Sequence, residues 1–317
     1  MTINSYEKKL LILLLIVFIL GSVLFGSAFF SWTTLAIIAN QLPEYGLISL
    51  ALFMTLIVSG MNLSIVAMTT LSGVLGGIVM ERLSHLGVVS VVIGISVMII
   101  SGMLTGALNG VIVSYLEVSP ILATLGTMLF YQGVAMNITQ GGAITSFDTS
   151  FTVLGSGTIV GIPIPFVLFI LVIGFMYWLL EKHEYGSQLY RIGKNAHSAV
   201  YSGIDVKKIV LIAYISAGVI TGIAAVLMTA RYNSIRVDYG ASYLISGIVA
   251  VSLGGADIKG GKGSIKGVVV ALLILSLLIR ILNLANVDSS LIDGIMGLIL
   301  LLNLSLHYYM DNSIKEK

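Results

Sequence analysis

The chain of 317 residues is 57% hydrophobic and only 9% charged, with a mean hydropathy of +1.07, a composition outside the range of water-soluble domains. Its net charge of +2 includes no basic run, so no nucleic-acid partner is expected, and the absence of cysteine excludes disulfides, iron–sulfur clusters and thiolate zinc sites. The long apolar runs predict an all-α polytopic membrane protein, because a helix satisfies its own backbone hydrogen bonds in lipid.

About ten transmembrane helices are predicted along the chain. The first follows Lys8 and Lys9 and resembles a signal peptide, but its apolar run of about 20 residues favours a retained helix. The second span is short and the eighth ends in glycines, so these two are the weakest. The predicted spans are 10–30, 43–60, 63–81, 88–114, 119–138, 163–181, 208–230, 240–256, 265–284 and 289–308.

The distribution of lysine and arginine predicts that both termini lie in the cytoplasm. With ten alternating spans, twelve basic residues fall inside and four fall at or near the outside, in agreement with the positive-inside rule. The outer residues are Arg82, Arg231, Arg236 and Arg280. The inner residues are Lys8, Lys9, Lys182, Arg191, Lys194, Lys207, Lys208, Lys259, Lys262, Lys266, Lys315 and Lys317.

A charged segment at 181–208 separates the sixth and seventh spans and holds eight of the 30 Asp, Glu, Lys and Arg residues. Ser187 or Asn195 is placed to cap a short interfacial helix, and Gly203 is placed to end one. Apolar side chains among the charges are Tyr190, Ile192, Ala196, Ala199 and Tyr201. These features predict a docking surface for a cytoplasmic partner, and the alternative is an ordinary solvated loop.

The stretch GGADIKGGKGS at 254–264 resembles a phosphate-binding loop only superficially. Glycine follows Gly261-Lys262 where serine or threonine is required, and Ala256 stands where the first glycine should be. The four histidines are dispersed and no nucleophile–base pair can be assembled, so neither a metal site nor an enzyme is predicted. Any ATP that drives this protein must therefore be bound by a partner.

Glycines at four-residue spacing predict close helix packing, because small residues on one face let backbones approach in lipid. They are Gly73 with Gly77, Gly102 with Gly106 and Gly110, and Gly218 with Gly222.

Polar side chains inside the predicted spans are candidates for a substrate pathway, since such groups are unfavourable in lipid. Hydrogen bonds between helices are the alternative for each. The candidates are Asn62, Ser64, Asn109, Thr124, Thr127, Gln132, Asn137, Tyr243 and Ser246. Asp293 is the one clear intramembrane acid, and we expect it to pair with Arg280, or one of the two to snorkel alone. The exterior segment 139–162 is predicted to contact a binding protein or to plug the outer vestibule.

Several motifs occur in a fixed order between about residues 46 and 302. They are SGMNLS at 59–64, PILATLGT at 120–127, GSGTIVGIPIP at 155–165, the segment 186–203, and 254–264. In this order they resemble the permease subunits of bacterial ABC importers for ribose and other monosaccharides, a family that includes the autoinducer-2 permeases.

The resemblance implies one permease domain over 1–317 in the bacterial inner membrane, paired with a second, identical or paralogous, copy. It also implies a cytoplasmic ATP-binding subunit, which holds ATP and Mg, and an extracytoplasmic substrate-binding protein; no cofactor is expected in this chain. The loop 182–207 would carry the ATPase-coupling helix. The residues implied for coupling are Tyr190, Arg191, Gly193, Asn195, Ala196, His197, Ser198 and Gly203.

Three positions depart from the family pattern. His197 stands where glutamate is frequent, and Asn62 and Ser246 stand where aspartate is usual. The two lost charges favour a neutral, polyol-like substrate, and a ribose-type monosaccharide is expected. Autoinducer-2 and nucleoside permeases are alternatives. Branched-chain amino-acid permeases rank lowest because they lack the sequence motif at 60–64. An ion-coupled secondary transporter would show more intramembrane acids and an internal repeat, and a membrane scaffold is the third class.

Overall fold

A computed structural model describes the backbone of residues 5–315 and the side chains of residues 6–303 and 305. Lys317, and the side chains of Lys315 and His307, lie outside the described residues. Thirteen helices dominate this part of the chain. Their bounds are α1 (Ser5–Phe25), α2 (Trp32–Leu56), α3 (Ile65–Arg82), α4 (Val88–Ser114), α5 (Pro120–Thr139), α6 (Thr149–Ser156), α7 (Ile164–Glu181), α8 (Glu184–Lys194), α9 (Ala196–Tyr201), α10 (Val206–Tyr232), α11 (Tyr243–Leu253), α12 (Ile265–Leu284) and α13 (Ser289–Lys315).

The exterior segment 139–162 is partly ordered by short elements. It contains α6 and the two-residue strands β1 (Ile144–Thr145) and β2 (Thr158–Ile159), and β3 (Ile162–Pro163) follows at its end. Strand β1 pairs with β4 (Ser234–Ile235), and β2 pairs with β3, both antiparallel. The first pairing ties this segment to the connection between α10 and α11.

The predicted architecture is confirmed, with one helix for each of the ten predicted spans. Among the described residues, eight helices are long and apolar enough to cross a membrane, and α11 and Ser289–Asn303 of α13 are shorter apolar helices. Helix α11 has only 11 residues and rises about 16 Å. It is therefore too short to cross the roughly 30 Å hydrocarbon core alone, and the prediction of a full span at 240–256 is wrong.

Helix α2 is longer than predicted. It has 25 residues and begins at Trp32, not near residue 43, and the hydroxyl of Ser31 caps it by accepting a hydrogen bond from Thr34 N at 3.2 Å. Pro43 removes one backbone hydrogen bond, yet the helix continues through it. The residues after Gln41 are buried in the bundle, and this packing compensates for the missing bond.

The loops meet at two opposite ends of the bundle. At one end, Ser59 Oγ donates to Lys259 O at 2.6 Å and Lys207 Nζ lies 2.8 Å from Glu117 Oε1. We call this the basic end, because it also carries the charged segment at 181–208. The pairing of β1 with β4 lies at the opposite end. The assignment of the basic end to the cytoplasm stays a prediction from charge.

Helices α4 and α10 pack through the predicted glycines, which face each other. A Cβ on Gly218 would lie 2.2 Å from Gly102 O, and a Cβ on Gly106 would lie 2.4 Å from Tyr214 O. Real Cβ atoms do not approach backbone this closely, so glycine is required for this helix spacing. The remaining glycine pair, Gly73 with Gly77, instead lies against the side chains of Phe147, Thr229 and Ile235 near the opposite end.

Replacing Gly218 with alanine is expected to destabilise the protein by about 1–3 kcal/mol, because two rigid helix backbones must separate to admit the methyl group. Thermal or denaturant unfolding in detergent micelles measures the effect. Gly126→Ala is the matched control, since nothing lies within 4 Å of that position. Equal stability of the two variants would contradict the proposed glycine contact.

Candidate functional site

The charged segment folds into two short helices, α8 and α9, which together we call the coupling segment (Glu184–Tyr201). His183 begins α8 by accepting a hydrogen bond from Tyr185 N at its Nδ1. Of the two predicted caps, Ser187 does not act as one, since its hydroxyl donates to Glu184 O within the helix. Asn195 does cap α9, accepting from Ser198 N at 2.9 Å, and Gly203 follows α9 with φ of +78°.

The coupling segment has one buried and one exposed face. Ile192 and Ala199 are buried, so the predicted apolar docking surface excludes them. Tyr190 is partly buried, and burial raises the pKa of its phenol, with the negative charge of Glu181 adding to the effect. Tyr201 is 91% exposed. Other predicted coupling residues that are exposed are Arg191, Asn195, Ala196, His197, Ser198 and Gly203.

Gly193 lies at the point where α8 meets two other loops. A Cβ at Gly193 would be 1.9 Å from Ile57 O and 2.4 Å from Gly261 N. Gly261 N in turn donates a hydrogen bond to Ile57 O at 2.8 Å. We call the contact among residues 57–60, 193–194 and 259–261 the three-segment junction.

Ser59 completes the junction through its side chain. Its hydroxyl oxygen lies 2.6 Å from Lys259 O and 3.3 Å from Gly193 O, within reach of both carbonyls. The glycine loop at 254–264 therefore serves as a backbone contact for the coupling segment, and its glycines admit this close packing. The junction therefore connects α8 through backbone contacts to the end of α2 and to the loop before α12.

Three of the predicted pathway residues, Asn62, Ser64 and Asn109, form one hydrogen-bonded network at the start of α3, and Thr124 of α5 binds the neighbouring backbone. Ser64 Oγ donates to Asn62 Oδ1 at 2.8 Å, and Asn109 Nδ2 donates to Ser64 Oγ at 2.7 Å. Thr124 Oγ1 accepts from Leu63 N at 3.1 Å. All four side chains are fully buried. These hydrogen bonds satisfy them between helices, and a role in substrate passage stays a prediction.

The other pathway candidates are scattered. Thr127 is buried and donates to Thr124 O, whereas Gln132 is half-buried and Asn137 is exposed. Ser246 is buried on α11. Within the described residues, the side chains of Gln132, Asn137 and Ser246 make no hydrogen bond. The structure therefore does not bring these residues into one site.

Tyr243 belongs to a separate cluster around a buried acid that the sequence reading missed. Glu44 is 1% exposed, and its Oε2 accepts hydrogen bonds from Tyr243 Oη at 2.7 Å and from Tyr232 Oη at 2.9 Å. Its Oε1 lies 2.9 Å from Arg231 Nη1. We call these four residues the Glu44 cluster. A lone glutamate beside a proline, at the edge of an apolar run, was the available sequence signal.

The expected ion pair between Arg280 and Asp293 is absent from the described residues. Arg280 donates to Thr34 Oγ1 from Nε at 3.2 Å and from Nη2 at 2.9 Å. Asp293 is exposed on the first turns of α13. The guanidinium therefore ties α12 to the start of α2, and Glu44 is the intramembrane acid that pairs with an arginine.

The described part of the chain is a multi-pass helical bundle with a helical loop packed against its basic end, the architecture of a membrane-spanning protein. The chain belongs to the family described as branched-chain amino acid transport system / permease component, whose model matches residues 34–304. It is a permease of the ABC importers that include the monosaccharide and autoinducer-2 systems, and it lies in the bacterial inner membrane as a multi-pass protein.

Relatives match over most of the chain. The chain is 31% identical to the autoinducer 2 import system permease protein LsrD of Yersinia enterocolitica, over 84% of this chain and 82% of that protein. It is 32% identical to LsrD of Yersinia pseudotuberculosis (84% and 81%) and of Salmonella paratyphi B (81% and 77%). No solved structure matches the chain. The family description and these relatives name different substrates, so membership does not fix the substrate.

Proposed function

We propose that this chain, as one permease domain over 1–317, translocates autoinducer 2 or a ribose-type monosaccharide into the cytoplasm. A separate ATP-binding subunit would dock on the exposed face of the coupling segment and hold ATP and Mg, so the chain itself needs no cofactor. The single observation that carries the proposal is the three-segment junction. It gives the docking face a rigid backbone connection to α2 and to the loop before α12.

The remaining partners follow from the same class of transporter. A substrate-binding protein would deliver its ligand at the opposite end, where 139–162 forms the longest loop. A second permease copy would complete the translocation path. The glycine-rich loop at 254–264 packs against α8. Its glycines are therefore used for helix packing, which supports the proposal that ATP is bound by a partner.

Similarity to the LsrD proteins favours autoinducer 2, and the uncharged pathway candidates agree with a neutral substrate. Asn62 and Ser246 supply neutral side chains where the resembling family usually has aspartate. A nucleoside has no specific observation in its favour.

Reconstitution tests the proposal. Proteoliposomes with the chain, its permease partner, the ATPase and the binding protein should hydrolyse ATP faster when the binding protein is loaded. They should also accumulate labelled autoinducer 2 or D-ribose, and not L-leucine. ATP-independent uptake driven by an ion gradient would contradict the proposal, as would preferential uptake of L-leucine.

A further inference from the structure

A pocket of about 450 Å³ lies at the opposite end, between α2, α6 and the end of α10. Its volume is within the range of small-molecule sites. Most of the exposed surface of the pocket is apolar, and five of its eight lining residues carry hydrogen-bonding side chains. These are Thr33, Asn40, Gln41, Ser156 and Arg231.

Arg231 connects this pocket to the Glu44 cluster. Its Nη1 donates to Asn40 O at 3.2 Å and lies 2.9 Å from Glu44 Oε1. Among the described residues, no acceptor is bonded to its Nε or Nη2. The guanidinium is thus fixed on one side by a buried carboxylate, while its other donors are available to a ligand.

The amides of α2 supply further hydrogen-bonding groups. The side chain of Gln41 is exposed and makes no hydrogen bond in the described part of the chain. Asn40 donates to Ala36 O from Nδ2, which leaves its Oδ1 as an acceptor. The pocket therefore offers donors and acceptors side by side, the pattern that hydroxyl groups require.

The charge in the pocket is balanced before any ligand enters. Glu44 neutralises Arg231, and no other charged side chain lines the pocket within the described residues. An amino-acid ligand would find no free carboxylate for its ammonium group. A neutral, polyhydroxylated ligand needs none.

The wall opposite α2 is held rigidly. A Cβ on Gly155 would lie 2.2 Å from Arg231 N, so the backbone of α6 packs directly on the end of α10. This contact fixes Ser156 and Arg231 relative to each other. Preorganised groups bind a small ligand with less loss of conformational freedom.

We propose that this pocket is a subsite that receives the neutral, polyhydroxylated substrate at the opposite end, with Arg231, Asn40 and Gln41 as its hydrogen-bonding residues. The subsite rests on the proposed import function and adds a binding site to it. It accepts the ligand released by the binding protein, before passage through the bundle.

Gln41→Leu tests the subsite, because it removes the free amide without touching Arg231 or Glu44. In the reconstituted assembly, uptake per ATP hydrolysed should fall about tenfold, the effect of losing one or two hydrogen bonds to the ligand. The probe is whichever of D-ribose and autoinducer 2 the unsubstituted chain transports. Gln41→Asn, which keeps the amide, should restore most of the uptake.

Asn40→Leu gives a second test, since the backbone carbonyl that contacts Arg231 is retained. Saturation-transfer NMR from the chain alone in nanodiscs to the same probe should show contact, and the double variant N40L/Q41L should lose it. Unchanged uptake per ATP in both single variants, or unchanged saturation transfer, would overturn the subsite. Failure of the unsubstituted assembly to show any ATP-driven uptake would instead reject the proposed function, and the subsite with it.

Discussion

Replacing Gly193 with alanine is expected to lower ATP hydrolysis stimulated by the loaded binding protein by at least about tenfold. The added methyl group would lie 1.9 Å from Ile57 O and 2.4 Å from Gly261 N, and both neighbours are backbone atoms. They cannot rotate away, because Gly261 N is bonded to Ile57 O. Helix α8 must therefore move away from the junction, which should lower the free energy of unfolding by about 1–3 kcal/mol. The exposed face of the coupling segment then loses its connection to the bundle.

Gly174→Ala is the matched control, since it makes the same change in a helix with nothing within 4 Å. Measuring how much ATPase subunit each variant captures separates binding of the ATPase from stimulation of its ATP hydrolysis. We expect Gly193→Ala to retain some capture while losing stimulation. Stimulation equal to that of Gly174→Ala would refute the role of the junction.

The sequence predicts where helices occur because lipid-facing runs must be apolar along their length. That rule fails for helices covered by other helices. In helix α2, Asn40, Gln41 and Pro43 interrupt the apolar run and hid its first half, whereas Pro43 and Glu44 are buried against neighbouring helices. Helix α11 is apolar because it is buried, and its hydropathy exaggerated its length.

Local chemistry also predicted the ends of the coupling segment, since capping depends on residues only a few positions apart. Asn195 and Gly203 act as predicted. The junction was not predictable in this way, because Ile57, Gly193 and Gly261 are separated by more than sixty residues at each step. A glycine required by a distant backbone looks, in sequence, like any other glycine.

The Glu44 cluster shows that the partner of a charged residue is likewise not predictable from the local sequence. A single glutamate near a span end predicts nothing about its partner, and Asp293 was the more conspicuous acid. Only the packing of α2 against α10 and α11 brings Arg231, Tyr232 and Tyr243 to Glu44. The tertiary structure therefore decides which of two acids is paired.

Replacing Glu44 with leucine is expected to destabilise the protein by about 3 kcal/mol, because Arg231 would keep a poorly solvated charge without its partner. The side chain of Arg231 is 22% exposed, which places the expected loss at the lower end of the range for buried pairs. The hydroxyls of Tyr232 and Tyr243 would also lose their shared acceptor. Denaturant unfolding in micelles measures the loss.

A double-mutant cycle separates the ion pair from general packing. Arg231→Met alone should also destabilise, since it strands the carboxylate of Glu44. The double variant E44L/R231M should recover part of the loss, because two apolar side chains leave no uncompensated charge. Tyr232→Phe, which removes one hydrogen bond and keeps the ion pair, should lose only about 1 kcal/mol. Simple additivity of the two single losses would show that Glu44 and Arg231 act independently, and that Arg231 is positioned by other contacts.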